Sequence, residues 1–223
     1  MKLFVGLGNP GQEHALNRHN VGFMAADAIA AAHDFPAWRK RCSGLAAEGR
    51  LDGEQVLLLK PQTYMNRSGS SVGEAVRFYK LELRDVVIFH DELDLAPGKL
   101  RVKTGGGVAG HNGLKSITAH IGNDYVRVRI GIGRPGDREK VSKYVLSDFA
   151  KADRGMLEAL LGAIAEAAPF LAEGATDKFQ SRVAHLTQAA AEALPRATVA
   201  WREDGSRAAK GGLAGRLRRW FGA

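Results

Sequence analysis

The sequence predicts an α/β fold: a single globular domain with a mixed, twisted β-sheet flanked by helices. Short apolar runs typical of strands alternate with helical patterns through residues 1–150, and only helical patterns follow. The runs at residues 3–5, 56–59 and 86–89 contain no polar residue, which is typical of strands buried on both faces. We therefore expect one layered domain rather than two small ones.

Local patterns predict each element in chain order. The strand at residues 3–5 runs into glycines, and residues 21–33 have helical apolar spacing with Asn20 as a candidate N-cap. Asp52-Gly53 is a hairpin turn between strands 44–51 and 55–60, and Pro97-Gly98 turns the chain into strand 99–103. The remaining predictions are helices at 68–79, 114–121, 150–173 and 176–186, and strands at 86–89 and 126–131.

Composition limits the location and the partners. The single cysteine, Cys42, excludes an intramolecular disulfide and fits a reducing compartment. The sequence has neither a secretory signal nor an apolar run long enough to span a membrane, so we expect a soluble, cytoplasmic protein with no membrane partner. The net charge of +8 favours an anionic partner such as nucleic acid without being diagnostic of one.

The chain divides near residue 186. Residues 1–186 form the expected folded domain, and residues 187–223 are a basic Ala-, Arg- and Gly-rich tail that we expect to be flexible. The tail holds seven Lys and Arg against three Asp and Glu, a net of +4, which is half of the excess positive charge of the chain. Its last residues could form a short basic amphipathic helix, although a solvated tail is the simpler interpretation.

The first loop contains the spacing of a dinucleotide-binding fingerprint, Gly6-x-Gly8-x-x-Gly11. In that fold the third glycine lies in a helix and an acidic residue about 20 positions later ends the second strand. Here Pro10 and Gly11 form a turn, and Asp27 lies inside a predicted helix. We therefore interpret these glycines as a turn in which a side chain would crowd the backbone, rather than as a dinucleotide-binding loop.

The sequence gives little support for a nucleophilic or a metal-dependent active site. No Gly-x-Ser-x-Gly elbow is present, and Cys42 follows an ordinary charged stretch. His19, His90, Asp91 and His111 are ligand types, but the sequence has no His-Glu-x-x-His motif and no paired cysteines. We expect neither a metal nor a cofactor, and a metal-dependent hydrolase stays open as an alternative.

Histidine, asparagine and aspartate residues are concentrated at the ends of predicted elements. They are Asn9, His19, Asn20, Asn66, Asp91, His111 and Asn112. Ligand sites of α/β proteins gather at such ends, so the set indicates a hydrolytic site without covalent catalysis. A neutral histidine can deprotonate water, a carboxylate can hold its other nitrogen, and an amide that binds a developing oxyanion contributes about 3 kcal/mol.

Five stretches together resemble the bacterial peptidyl-tRNA hydrolase family. They are VGLGNPG at 5–11, TYMNRSG at 63–69, HDELDL at 90–95, GGGVAGHNGL at 105–114 and RIGIGRPG at 129–136. The resemblance spans about residues 1–186 in order. It implies a monomeric enzyme, without metal or cofactor, that cleaves the ester between peptide and tRNA and so recycles tRNA from aborted translation. An RNA-binding protein on the same fold that has lost hydrolysis is the alternative.

The resemblance also implies roles for individual residues. His19 matches the base that activates water, and Asp91 matches its partner carboxylate. Further matches are Asn9 and Asn112, which orient the peptide end, Asn66, which binds the substrate carbonyl, and Met65 and His111, which line the same cleft. On the tRNA side, Lys103 and Arg129 match a clamp for the 5′ phosphate. Arg138 stands where the family often has lysine, so it keeps the charge but not the donor geometry.

Overall fold

The computed structural model describes residues 1–199, without the side chains of Arg138 and of residues 193–199. Its strands are β1 (Lys2–Gly6), β2 (Arg39–Arg41), β3 (Gly44–Leu51), β4 (Glu54–Pro61), β5 (Val86–Glu92), β6 (Leu100–Thr104) and β7 (Val126–Gly131). Its α-helices are α1 (Val21–Ala32), α2 (Ser68–Tyr79), α3 (Asn112–Ile121), α4 (Val141–Val145), α5 (Arg154–Ala172) and α6 (Thr176–Val199). The described strands form one sheet of order β2-β3-β4-β1-β5-β7-β6.

The sheet is mixed, as the sequence predicts. Strand β1 lies parallel to both β4 and β5, and β5 lies parallel to β7. The pairs β2–β3, β3–β4 and β6–β7 are antiparallel. Because the carboxyl ends of parallel strands meet at one edge of the sheet, the loops that follow β1, β4 and β5 are brought together there.

Side chains that alternate along β1 build two hydrophobic cores. Phe4 faces the core formed with α1, α5 and α6, whereas Leu3 and Val5 face the core formed with α2 and α3. Within the described chain, the segment Lys151–Ala172 has the length and mean hydropathy (1.4) of a membrane span, but 61% of that window is buried in the first of these cores. It is accounted for as the core helix of a three-layer α/β fold.

Glycines bring α1 against the end of β1. A Cβ atom on Gly6 would lie 2.2 Å from the carbonyl oxygen of Gly22, and one on Gly22 would lie 2.3 Å from the carbonyl oxygen of Phe89. Gly11 has a φ of 110°, which turns the chain. Asp27 lies within α1, where Lys60 Nζ contacts its carboxylate at 2.5 Å. The glycine spacing therefore serves a turn and close helix packing.

The main differences from the sequence-based expectations are the ends of β5 and α6 and the presence of two short elements, β2 and α4. Strand β5 continues beyond the apolar run to Glu92, because its polar last residues are also buried. Strand β2 and helix α4 are not predicted: β2 is an exposed Arg-Lys-Arg edge strand, and α4 is a single short helix. The helix expected at 176–186 continues to Val199, because residues 187–199 are rich in alanine and other helix formers. Residues 200–223 lie outside the described chain.

Candidate active site

A cleft of about 880 Å³ opens at the carboxyl edge of the parallel strands. Its floor is formed by the loop after β1, the loop after β4, and the end of β5. The glycine-rich loop and the start of α3 form one wall, and α4 forms another. The candidate residues from the sequence that line it are Asn9, His19, Met65, Asn66, Asp91, Lys103, His111, Asn112 and Arg129.

His19 and His111 share one carboxylate oxygen at the centre of the cleft. Nδ1 of His19 lies 2.8 Å from Oδ1 of Asp91, and Nε2 of His111 lies 3.0 Å from the same oxygen. The two imidazole rings are 5.0 Å apart. His19 and Asp91 are buried, so this group is held away from bulk water.

Backbone contacts fix the tautomers. Nδ1 of His111 accepts from the amides of Gly113 at 3.1 Å and Leu114 at 3.3 Å, so His111 is the N-cap of α3. Its Nε2 must therefore carry the hydrogen that it donates to Asp91. An ionised carboxylate only accepts, so Nδ1 of His19 is also a donor. In neutral His19 this leaves an unprotonated Nε2, the state that a general base requires.

Two opposing effects set the ionisation of Asp91. Burial opposes the charged form and would raise its pKa, whereas the attraction of His111 and His19 and their hydrogen bonds lower it. The attraction prevails, and the pKa of Asp91 lies well below its usual range. Asp91 is thus a permanent anion beside His19.

Asn9 is held on three sides. Its Oδ1 accepts from the amide of Met65 at 2.9 Å. Asn20 binds its backbone twice, since Oδ1 of Asn20 accepts from the Asn9 amide and Nδ2 of Asn20 donates to the Asn9 carbonyl, each at 2.9 Å. Asn20 occupies the predicted N-cap position of α1, but its side chain makes no capping hydrogen bond there and fixes the loop after β1 instead.

Three amides face the cleft with free hydrogen-bonding groups. Among the residues that the structure describes, Nδ2 of Asn9 and the side chains of Asn66 and Asn112 have no protein partner. Asn66 and Asn112 are exposed. Met65 is buried beneath them, and a Cβ on Gly113 would lie 2.6 Å from its sulfur atom. The amides therefore lie next to buried Met65, and their hydrogen-bonding groups, unpaired within the described chain, face the cleft.

His90 is a buried neutral neighbour of this group. Burial, reinforced by His111, lowers its pKa to about 3. Its Nδ1 contacts the backbone oxygen of Asp91 at 2.8 Å, and its ring meets that of His111 edge to face, with centroids 5.1 Å apart. His90 therefore packs as an uncharged ring against His111 and the backbone of Asp91.

Cations line the wall of the cleft on β6 and β7. Lys103 is exposed, and Nε of Arg129 contacts Oε2 of Glu92 at 2.9 Å. Arg127 is buried, donates to the carbonyl of Gly107 at 2.8 Å, and lies 4.8 Å from the centroid of the Tyr125 ring. The side chain of Arg138 lies outside the described set. Lys103 and Arg129 are thus brought to the same cleft as His19.

His19, Asp91 and His111 could also be considered as metal ligands, because their ligand atoms lie within 4.8 Å of one another. Both nitrogens of His111 are already engaged, Nδ1 with two backbone amides and Nε2 with Asp91. Binding a metal through His111 would break these contacts. The geometry favours a hydrogen-bonded group over a metal site.

The sequence profile of the peptidyl-tRNA hydrolase family matches residues 3–192. The chain belongs to the peptidyl-tRNA hydrolase family. A peptidyl-tRNA hydrolase of Cereibacter sphaeroides is 66% identical over 184 residues, covering 82% of each protein. One of Dinoroseobacter shibae is 64% identical over 187 residues, covering 84% of this chain and 80% of the relative.

Solved structures agree. The crystal structure of peptidyl-tRNA hydrolase from Acinetobacter baumannii superposes with a TM-score of 0.78 at 39% sequence identity. It matches 82% of this chain, and 94% of that chain is covered. The α/β fold and the family resemblance are thereby confirmed.

Two residues of this peptidyl-tRNA hydrolase site, Glu92 and Arg127, are absent from the sequence-based set, whereas Asn20 belongs to that set without its structural role. Asn20 positions Asn9, Glu92 pairs with Arg129, and Arg127 holds the glycine-rich loop. Glu92 could have been found, since it adjoins Asp91 in the HDELDL stretch. Arg127 could have been found from its alternation with Arg129 on one strand. The partner of Asn20 is not encoded in any local pattern.

Proposed function

We propose that the protein hydrolyses the ester bond between peptide and tRNA in peptidyl-tRNA, acting on N-substituted aminoacyl-tRNA and recycling tRNA from aborted translation. Its family membership supports the reaction. The observation that carries the mechanism is the contact of His19 Nδ1 with Asp91, because it leaves Nε2 as a base at the cleft.

The proposed reaction begins with water. Nε2 of His19 takes a proton from the water that attacks the ester carbonyl. Asp91 holds the imidazole in the correct tautomer and stabilises the imidazolium that forms. His111, which donates to the same oxygen, keeps that carboxylate in place. No step requires a metal or a cofactor.

The amides bind the substrate. Asn66 binds the ester carbonyl and the oxyanion that develops from it, which is worth about 3 kcal/mol for one such donor. Asn9 and Asn112 orient the peptide end, and Met65 and His111 shape the cleft around it. The support for these roles is that the amides line the cleft with groups that no described residue engages.

The tRNA enters through its acceptor end. Lys103 and Arg129, with Arg138, bind the 5′ phosphate and place the ester over His19. One chain supplies every residue of the site, so a monomer suffices, and the substrate arises where translation occurs, in the cytoplasm. Residues 1–186 carry the reaction, and the arginines of the tail strengthen tRNA binding. Deleting residues 200–223 should weaken affinity and its salt dependence, and unchanged values would refute this role of the tail.

The test is release of peptide from peptidyl-tRNA. His19→Ala should lower kcat by about 10²-fold or more, because the base is removed. His185→Ala, on the exposed side of α6, is the matched control and should keep full activity. A wild-type protein that binds the substrate without cleaving it would support the RNA-binding alternative, and loss of activity in chelator would support a metal-dependent hydrolase.

A further inference from the structure

Arg18, next to His19 in sequence, is bound by a segment far along the chain. Its Nη1 donates to the carbonyl of Ser147 at 3.2 Å, to the hydroxyl of Ser147 at 2.8 Å, and to the carbonyl of Asp148 at 2.6 Å. Its guanidinium carbon also lies 4.4 Å from the centroid of the Tyr144 ring and 5.4 Å from that of Phe149. Hydrogen bonds and ring faces therefore hold Arg18 from several directions.

The backbone is joined at the same place. The amide of Arg18 donates to the carbonyl of Ser147 at 3.0 Å, and the amide of Phe149 donates to the carbonyl of Leu16 at 3.2 Å. Nδ2 of Asn17 donates to Asp148 at 2.8 Å. The two segments, 16–18 and 144–149, thus form one unit, which we call the clasp.

The clasp connects the lining of the cleft, through residues 144–149, to the catalytic base His19, through residues 16–18. Helix α4 runs directly into it, and Leu146, 45% exposed, lines the cleft. His19 follows Arg18 and reaches Asp91. Within the described chain, Arg18 forms no salt bridge, so its charge is balanced by carbonyl oxygens and ring faces rather than by a carboxylate. These contacts therefore join the segment 16–18 to the segment 144–149.

We propose that Arg18 is a positioning residue that couples the wall formed by α4 to the catalytic base. A substrate that packs against Leu146 steadies the clasp, and the clasp holds His19 over the ester. This inference rests on the proposed function, since it concerns the same cleft. It makes Arg18 a determinant of turnover although Arg18 itself does not touch the substrate.

A double-mutant cycle tests the coupling. Arg18→Lys keeps the charge but cannot span the same acceptors, so kcat should fall about 10-fold while KM stays within about 2-fold. Leu146→Ala should lower kcat/KM about 5-fold in the wild type and less than about 2-fold in the Arg18→Lys background. The same factor in both backgrounds, or an Arg18→Lys variant with unchanged kcat, refutes the coupling.

Controls separate the coupling from general damage. Lys103→Gln combined with Arg18→Lys should give effects that multiply, because the two residues lie on different walls of the cleft. Thermal unfolding of each variant shows whether the fold is retained. If Arg18→Lys does not fold, Ser147→Ala removes a single contact of Arg18 and enters the same cycle. A wild-type protein without activity would refute the proposed function, whereas an active wild type with multiplying effects would refute only the coupling.

Discussion

Nε2 of His111 lies 3.0 Å from Oδ1 of Asp91, the oxygen that Nδ1 of His19 contacts at 2.8 Å. Two donors on one oxygen leave the carboxylate little freedom to rotate. Because His111 is itself fixed by two backbone amides at the start of α3, the orientation of His19 depends on a helix that it does not belong to.

Removing the charge of Asp91 should abolish most of the activity. Asp91→Asn should lower kcat by about 10²-fold or more, because an amide can present its nitrogen to His19 and stabilises an imidazolium poorly. Asp94→Asn is the control: this carboxylate forms an exposed pair with Arg134 and should be near neutral. Steady-state hydrolysis of peptidyl-tRNA measures both, and equal losses would contradict the role of Asp91.

His90 should make the protein sensitive to mild acid. Its pKa in the folded protein is about 3, whereas the unfolded side chain titrates near about 6.5. Below about pH 6.5 the His90 side chain binds a proton in the unfolded state but not in the folded state. The free energy of unfolding therefore falls as the pH drops, by about 1.4 kcal/mol per pH unit for one proton.

The measurement is urea unfolding of wild type and His90→Gln between pH 7 and pH 4. The variant should show a shallower fall of unfolding free energy with decreasing pH. His185→Gln, altered on the exposed side of α6, should keep the wild-type slope. Ring signals of His90 that titrate near pH 6.5 in NMR would rule out this explanation.

Asn20 should affect turnover through Asn9. Asn20→Ala loses both contacts with the Asn9 backbone, and Asn20→Asp keeps the acceptor but places an oxygen against the Asn9 carbonyl. We expect a loss of about 1–3 kcal/mol in unfolding free energy for either change. Activity should fall as well, more for Asn20→Asp. Unfolding and hydrolysis assays on both variants decide this, and full activity in the two would show that Asn9 needs no support.

A substitution that adds one methyl group can test the close approach of α1 to β1. In Gly22→Ala the new Cβ would lie 2.4 Å from the Leu7 amide nitrogen, so the helix must shift, at a cost of about 1–3 kcal/mol. Gly155→Ala is the matched control, because among the described residues its Cβ would meet no atom within 4 Å apart from its chain neighbours and the local backbone of its own helix. It should stabilise the protein by about 0.5–1 kcal/mol. Denaturant midpoints compare the two, and similar midpoints would disprove the crowding.

Lys103 and Arg129 should recognise the 5′ phosphate unequally. Glu92 partly neutralises Arg129, whereas Lys103 is exposed and forms no ion pair with a described residue. Lys103→Gln should therefore reduce the preference for 5′-phosphorylated over dephosphorylated substrate more than Arg129→Gln does, by about 5-fold or more. Lys99→Gln, in the turn before β6, should keep the preference. A preference retained in all three variants would place the phosphate elsewhere.

Local patterns predict the sheet well because its strands are buried and apolar. The run at 86–89 predicts the start of β5 but not its last residues, His90 to Glu92, since hydropathy carries no sign that polar side chains are buried together. The edge strand β2 is Arg-Lys-Arg and has no apolar pattern at all. Its pairing with β3 comes from the hairpin that it extends.

The candidate site was also predictable only in part from the sequence. Residue types at element ends single out His19, Asp91 and the amides of Asn9, Asn66 and Asn112, and the structure brings them to one cleft. Which partner each one takes depends on distances across the fold. Asn20 stands at the expected N-cap position, but its side chain binds the backbone of Asn9 instead of the first turn of α1, and no single-sequence pattern reports that contact.

The position of β1 governs when activity can arise. Strand β1 is a central strand of the sheet, and its neighbour β5 is translated about 80 residues later. Asn9 and His19 therefore emerge long before Asp91, His111 and the clasp exist. Such distant pairing slows folding. All residues of the proposed site and of the clasp are thus present only after synthesis has passed Phe149.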